Sequence, residues 1–82
     1  MKKTLINNND LYDYCKDKIK KHQLISFNVV YSDESSCGTV IEFNKGYVTI
    51  KNDNKNCLET KYLCKICVLY MPYEDEKIFC IM

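Results

Sequence analysis

The spacing of apolar residues changes once along the chain, and the change divides it into two parts. Between residues 9 and 22, Leu11, Cys15 and Ile19 recur four apart, with Tyr12 and Tyr14 beside them. Side chains four apart share one face of a helix, because about 3.6 residues make a turn. Asn7 or Asn9 supplies a side-chain oxygen for the free amide groups of the first turn, and Asp10 and Asp13 suit its positive end. Lys16, Lys18, Lys20 and Lys21 suit the negative end. The spacing predicts a helix over residues 9–22, with a flexible start over residues 1–8.

From residue 24 the period is two, which is that of a strand with one buried face. Ile25, Phe27, Val29 and Tyr31 alternate with Ser26, Asn28 and Val30. After a polar turn, Cys37, Thr39, Ile41 and Phe43 form one face of a second strand, opposite Val40 and Glu42. Asn44-Lys45-Gly46 is a tight-turn signal, and Tyr47 to Lys51 then places Val48 and Ile50 together. Cys57 to Thr60 fits a short strand, and Lys61 to Cys64 a single turn. Ile66 to Met71 is apolar on both faces. Ile78 to Met82, after the turn at Pro72 to Glu76, completes a hairpin with it as an edge strand. One helix and five or six short strands bury most apolar surface as a bent sheet closed on itself, with the helix over one end. The expected fold is mostly β with one N-terminal α-helix: a single domain over 1–82, its small barrel over 24–82.

Gly38-Thr39-Val40-Ile41-Glu42-Phe43-Asn44, followed by Gly46-Tyr47-Val48-Thr49-Ile50-Lys51, carries a family pattern. It resembles the Sm-like family, which includes the Hfq-type RNA chaperones, and more broadly the SH3-like barrels. Glu59 to Ile66 falls where that family has its second motif, and the similarity spans about residues 8–70. Thr60-Lys61-Tyr62 keeps one cation of that motif and lacks its histidine; Asn44 stands where aspartate is usual, and Thr49 where asparagine is frequent. The resemblance implies single-stranded RNA as ligand, with Tyr47 stacking on a base and Asn44, Thr49 and Lys61 as polar contacts. It also implies a ring of subunits joined through strand edges. The apolar segment from Ile78 covers such an edge, so a monomer or dimer is expected rather than a ring.

Composition narrows the chemistry. A net charge of +1 does not suit a polyanion binder driven by bulk charge. Lys, Asn, Ile and Tyr make up 35 of 82 residues, which points to AT-rich coding in a bacterial or phage genome. No apolar stretch is long enough for a signal peptide or a membrane span, so a cytoplasmic protein without a membrane partner is expected. In a reducing compartment the six cysteines stay thiols; Cys15, Cys64, Cys67 and Cys80 lie in apolar context and are read as small core residues. Cys64 and Cys67 have the one metal-like spacing, yet three apart on a strand they point to opposite faces. No metal or other cofactor is expected, and the single His22 lies next to Lys20 and Lys21 at the end of the predicted helix. No nucleophile, base or paired-carboxylate arrangement emerges, so no enzymatic activity is expected.

What remains are binding surfaces. The helix face bearing Lys16 and Lys20 suits acidic ligands, and Tyr73, in an acidic turn, is the tyrosine most expected in solvent. Together these features favour a non-catalytic module engaging a protein partner, as an adaptor or a small inhibitor from a phage or mobile element. Sm-like recognition of single-stranded RNA is the alternative, and a self-assembling structural subunit the third.

Overall fold

The computed structural model describes residues 1–81; the predicted final strand position Met82 lies outside them. Seven strands form one sheet: β1 (Lys2–Asn7), β2 (Leu24–Val29), β3 (Ser35–Phe43), β4 (Tyr47–Asn52), β5 (Cys57–Tyr62), β6 (Ile66–Met71) and β7 (Glu76–Ile81). The fold is mostly β, with one short N-terminal helix, α1 (Leu11–Cys15). Short 3-10 turns occupy residues Asn8–Asp10, Leu63–Lys65 and Pro72–Glu74. The strand order is β1-β7-β6-β2-β3-β4-β5, which leaves β1 and β5 as the two edges. A flat sheet of seven strands would be about 30 Å wide and about 10 Å thick. The extents are 31 × 26 × 24 Å, so the sheet curls strongly around its own core. Ile25 and Phe27 of β2, Val40 of β3, Val48 and Ile50 of β4, Leu69 of β6 and Ile78 of β7 line its concave side.

The first correction concerns the start of the chain. Residues 2–7 are not flexible: β1 pairs parallel with β7, from Lys2 opposite Glu76 to Asn7 opposite Ile81. Their sequence carries no strong alternation, and an existing strand edge orders them. The hairpin of β6 and β7 forms in the predicted register region, but β7 is interior rather than an edge, because β1 covers it.

The second correction concerns the helix. Regular α-helix ends at Cys15 rather than at residue 22, and Lys16, Lys18 and Ile19 continue as turns. The apolar stripe is nonetheless right, since Leu11, Cys15 and Ile19 are all buried. A helix this short has no independent stability, so side-chain anchors set its length. One anchor is Lys18, whose Nζ lies 3.0 Å from Glu76 Oε1. Lys16 and Lys20 consequently share no helical face: Lys16 caps the helix end, and the Lys20 amide donates to Gln23 Oε1 in a following turn.

The third correction is in β3. Val40 is buried while Cys37 is exposed, the reverse of the predicted facing. The register with β4 slips between Val40 and Glu42, so Ile41 is an extra residue. Such a bulge flips every later side chain. It lets Val40 and Phe43 both turn towards the core side, and it bends the strand. Gly38 sits where β3 crosses β4 so closely that a Cβ would overlap the Lys51 carbonyl oxygen. The predicted inward set of cysteines is also revised: Cys15 is buried, Cys67 and Cys80 are partly so, and Cys64 is exposed on a 3-10 turn.

Glu76 is the one buried acid among the described residues, at 1% exposure. It accepts from the hydroxyls of Thr4 and of Tyr14, the latter at 2.5 Å, and from Lys18. Burial pushes its pKa up, but those hydrogen bonds and the Lys18 charge outweigh it and hold the carboxyl at about 2. Asn8, also buried, donates to the carbonyls of Leu63 and Ile66 and ties the first 3-10 turn to the entry of β6.

Two stability predictions follow from these contacts. Gly38→Ala is expected to cost about 2–3 kcal/mol in chemical denaturation, because backbone must shift to admit the methyl group. Glu76 ionises below its unfolded value, so its contribution is fully present above about pH 4.5 and is lost as pH falls through about 2. Denaturation across that window is expected to show a loss of roughly 2–3 kcal/mol, which Glu76→Gln removes while lowering stability at neutral pH.

Candidate functional site

The residues singled out by pattern are dispersed rather than assembled. Asn44 is a turn-former: its Oδ1 accepts from the amides of Gly46 and Tyr47, at 2.9 and 3.0 Å. Tyr47 is partly buried and its hydroxyl donates to Glu42 Oε2 at 3.0 Å. Thr49, 9% exposed, bonds its hydroxyl to that of Thr60 across the β4–β5 pair. Tyr47 and Thr49 share the outer face of β4, whereas Lys61 projects from the opposite face of β5. Tyr73 is 70% exposed, on the 3-10 turn that follows β6. Lys61 and Lys65 lie near the other end of β6, about 20 Å away along a six-residue strand. Tyr73 therefore does not join them.

What the fold does assemble is a groove at the open end of the curled sheet. Val29, Val30 and Tyr31 form one wall, where β2 ends; Lys61 and Tyr62 of β5, with Lys65 from the turn after it, form the other. Its volume is about 440 Å³. The two walls meet because the Val30 amide donates to the Lys65 carbonyl at 2.8 Å, and the Leu63 amide to that of Gly46. Tyr31 is wholly exposed and Tyr62 is 66% exposed. Tyr31 also has φ 62°, a left-handed conformation that a large side chain adopts at a cost. Among the described residues no acidic side chain makes an ion pair with Lys61 or Lys65.

Tyr31, Tyr62 and Lys65 escape the sequence pattern for definite reasons. Tyr31 continues the alternation of β2 and so reads as a core residue, but the strand stops at Val29 and the chain turns it outward. The polar run Ser32-Asp33-Glu34 directly after it is the signal that the strand has ended. Tyr62 reads as part of a turn, whereas it closes β5 opposite Tyr47.

Other places hold less chemistry. A hollow of about 510 Å³ between Ile19, Lys21 and the bulged part of β3 is open, and Glu42 within it already accepts from Tyr47. Burial raises the pKa of the Cys15 thiol to about 12, Glu76 adding to the shift, and burial with nearby Cys67 raises that of Cys80. Both are thereby kept as unreactive thiols at neutral pH. Among the described residues, no three metal-ligating side chains gather, and no helix is long and apolar enough to cross a membrane. Comparison with family models, with curated proteins and with solved structures finds no match.

Replacing Tyr31 by glycine relieves the left-handed backbone without removing any buried contact. Tyr31→Gly is expected to raise stability by about 0.5–1 kcal/mol, read as a higher melting temperature, even as it strips the groove of an exposed ring.

Proposed function

We propose that this chain is a non-catalytic binding module that engages a protein partner through the groove between Tyr31 and Tyr62. The observation that carries the reading is the exposure of both rings beside Val29 and Val30, with Lys61 and Lys65 unpaired at the rim. Tyrosine brings large contact area with little rotamer entropy to lose, which suits a protein interface. The two free ammonium groups favour a partner segment with acidic residues beside its apolar ones. A small adaptor or inhibitor encoded by a phage or mobile element has this character: one rigid sheet, one sticky end.

Single-stranded RNA is the second reading. The run β6-β2-β3-β4-β5, with a 3-10 turn between β5 and β6, supports the Sm-like resemblance. Exposed tyrosines beside lysines suit base stacking and phosphate contact. Against it, Asn44 and Tyr47 are engaged within their own turn, and Glu42 beside Tyr47 repels phosphate. The side of β6 away from β2 is covered by β7 and then β1, so a ring joined through that side is not favoured.

An affinity-tagged chain expressed in its host is expected to recover one protein in stoichiometric amount. Tyr31→Ser combined with Lys65→Glu loses that protein, whereas Tyr73→Ser, at the far end of β6, retains it. Recovery of no stoichiometric protein, or equal loss with Tyr73→Ser, overturns the proposal. An RNA ligand would instead show affinity falling with salt by about 0.7 per phosphate on a log–log plot, and loss on Tyr62→Ala.

A further inference from the structure

The far end of β5 lines the groove, and the free edge of the strand runs beyond it to Cys57. Native sheets blunt an exposed edge with a proline, a bulge, a covering element or charged side chains, above all inward-pointing ones. β5 is six residues long, contains no proline and pairs with β4 in one unbroken register, and the charge on its inner face is one acid with one base rather than repeated like charge. Its outward face carries Leu58, Thr60 and Tyr62, and Leu58 and Tyr62 are 64% and 66% exposed. Its other face carries Glu59 and Lys61, one acid and one base two residues apart. β1, the opposite edge, carries Lys2 and Lys3 and no acid, so nothing on it complements a copy of itself.

We propose that β5 is a homodimer interface, in which two copies pair their Leu58–Tyr62 segments antiparallel about a two-fold axis through Thr60. In that register Leu58 faces Tyr62 of the second copy, Glu59 faces its Lys61, and Thr60 faces Thr60. Every opposed pair is then apolar with apolar, acid with base, or hydroxyl with hydroxyl. These are the cross-strand combinations that stabilise a sheet. Slipping by two residues in one direction sets Glu59 against Glu59, and in the other Lys61 against Lys61. Slipping by one sets the outward face of one copy against the inward face of the other. Charge complementarity therefore selects a second copy as the occupant, and this register among its neighbours. The dimer joins two curled sheets edge to edge and removes one unpaired edge from each. Lys61 and Tyr62 belong both to the paired segment and to the groove wall, whereas Tyr31 and Lys65 lie outside the paired segment, so the inference goes beyond the partner-binding reading and is tested separately from it.

The purified chain alone tests it, by sedimentation equilibrium. One six-residue strand pair is a small interface, so dimerisation is expected in the micromolar range. Glu59→Lys and Lys61→Glu each replace two attractive pairs by two repulsive ones, and each is expected to weaken the dimer about tenfold or more. Mixing the two single variants restores association as a heterodimer, and the double exchange in one chain restores the homodimer. Glu59 also accepts from Asn52 at 3.0 Å, so Glu59→Lys carries a risk to folding. Lys61→Glu and Leu58→Lys disturb no side-chain hydrogen bond or ion pair among the described residues, and both must yield folded chains whose dimer is about tenfold weaker or more. A wild-type chain that stays monomeric up to several hundred micromolar, or a folded Lys61→Glu or Leu58→Lys chain that dimerises as tightly as the wild type, overturns the proposal. Loss of the groove's protein partner in a chain that still dimerises counts only against the proposed function.

Discussion

A single buried carboxylate decides how this chain begins and, through that, where its sheet ends. Glu76 at the start of β7 gathers Thr4 from β1, Tyr14 from α1 and Lys18 from the turns beyond it. A bare acid at that depth would cost several kcal/mol, so the three donors must be in place before the carboxylate is tolerable. They come from the first eighteen residues of the chain, and the acid from the last seven described. Satisfying one group therefore draws the two termini together, and β1 is laid along β7 in parallel. A parallel pair is reached only by a long crossover, here almost the whole length of the chain. The same group holds Lys18 protonated well above its usual range, through its hydrogen bond and that of Tyr14.

Covering β7 has a consequence at the far side of the sheet. Of the two edges that remain, β1 carries like charge and β5 carries alternating charge with exposed apolar groups. The end of the molecule bearing β5 is also where β2 stops and the 3-10 turn at Leu63–Lys65 crosses, so the groove and the free edge lie together. The opposite end is occupied by hydrogen bonds within the chain. Exposed tyrosines, lysines and an unpaired strand edge are thus gathered at one end of the molecule, and the cause is topological rather than a matter of local composition.

Tyr31 occupies a position that local stability does not favour. Its backbone is left-handed and its side chain is fully exposed at the groove wall. A residue chosen for folding would be glycine or asparagine. Thr49 and Asn44 are the opposite case: they resemble ligand-binding positions of a known barrel family, yet here each is consumed by a hydrogen bond that shapes a turn or a strand pair.

The sequence by itself determined the helical stripe of Leu11, Cys15 and Ile19, the alternation that builds β2 and β4, the tight turn at Asn44–Gly46 and the β6–β7 hairpin. Each is a local pattern, readable because neighbours three, four or two apart share a face. Tertiary structure alone decided the rest. Residues 2–7 became a strand because an edge sixty-nine or more positions away needed pairing. The helix stops at Cys15, and Lys18 in the turns beyond it reaches Glu76. The facing of β3 inverted at Ile41 because a curled sheet demands a bulge there. The exposure of Tyr31 and Tyr62 was hidden for the same reason: exposure depends on where strands end and which edges meet, and those are properties of the curled sheet, not of any window along the chain.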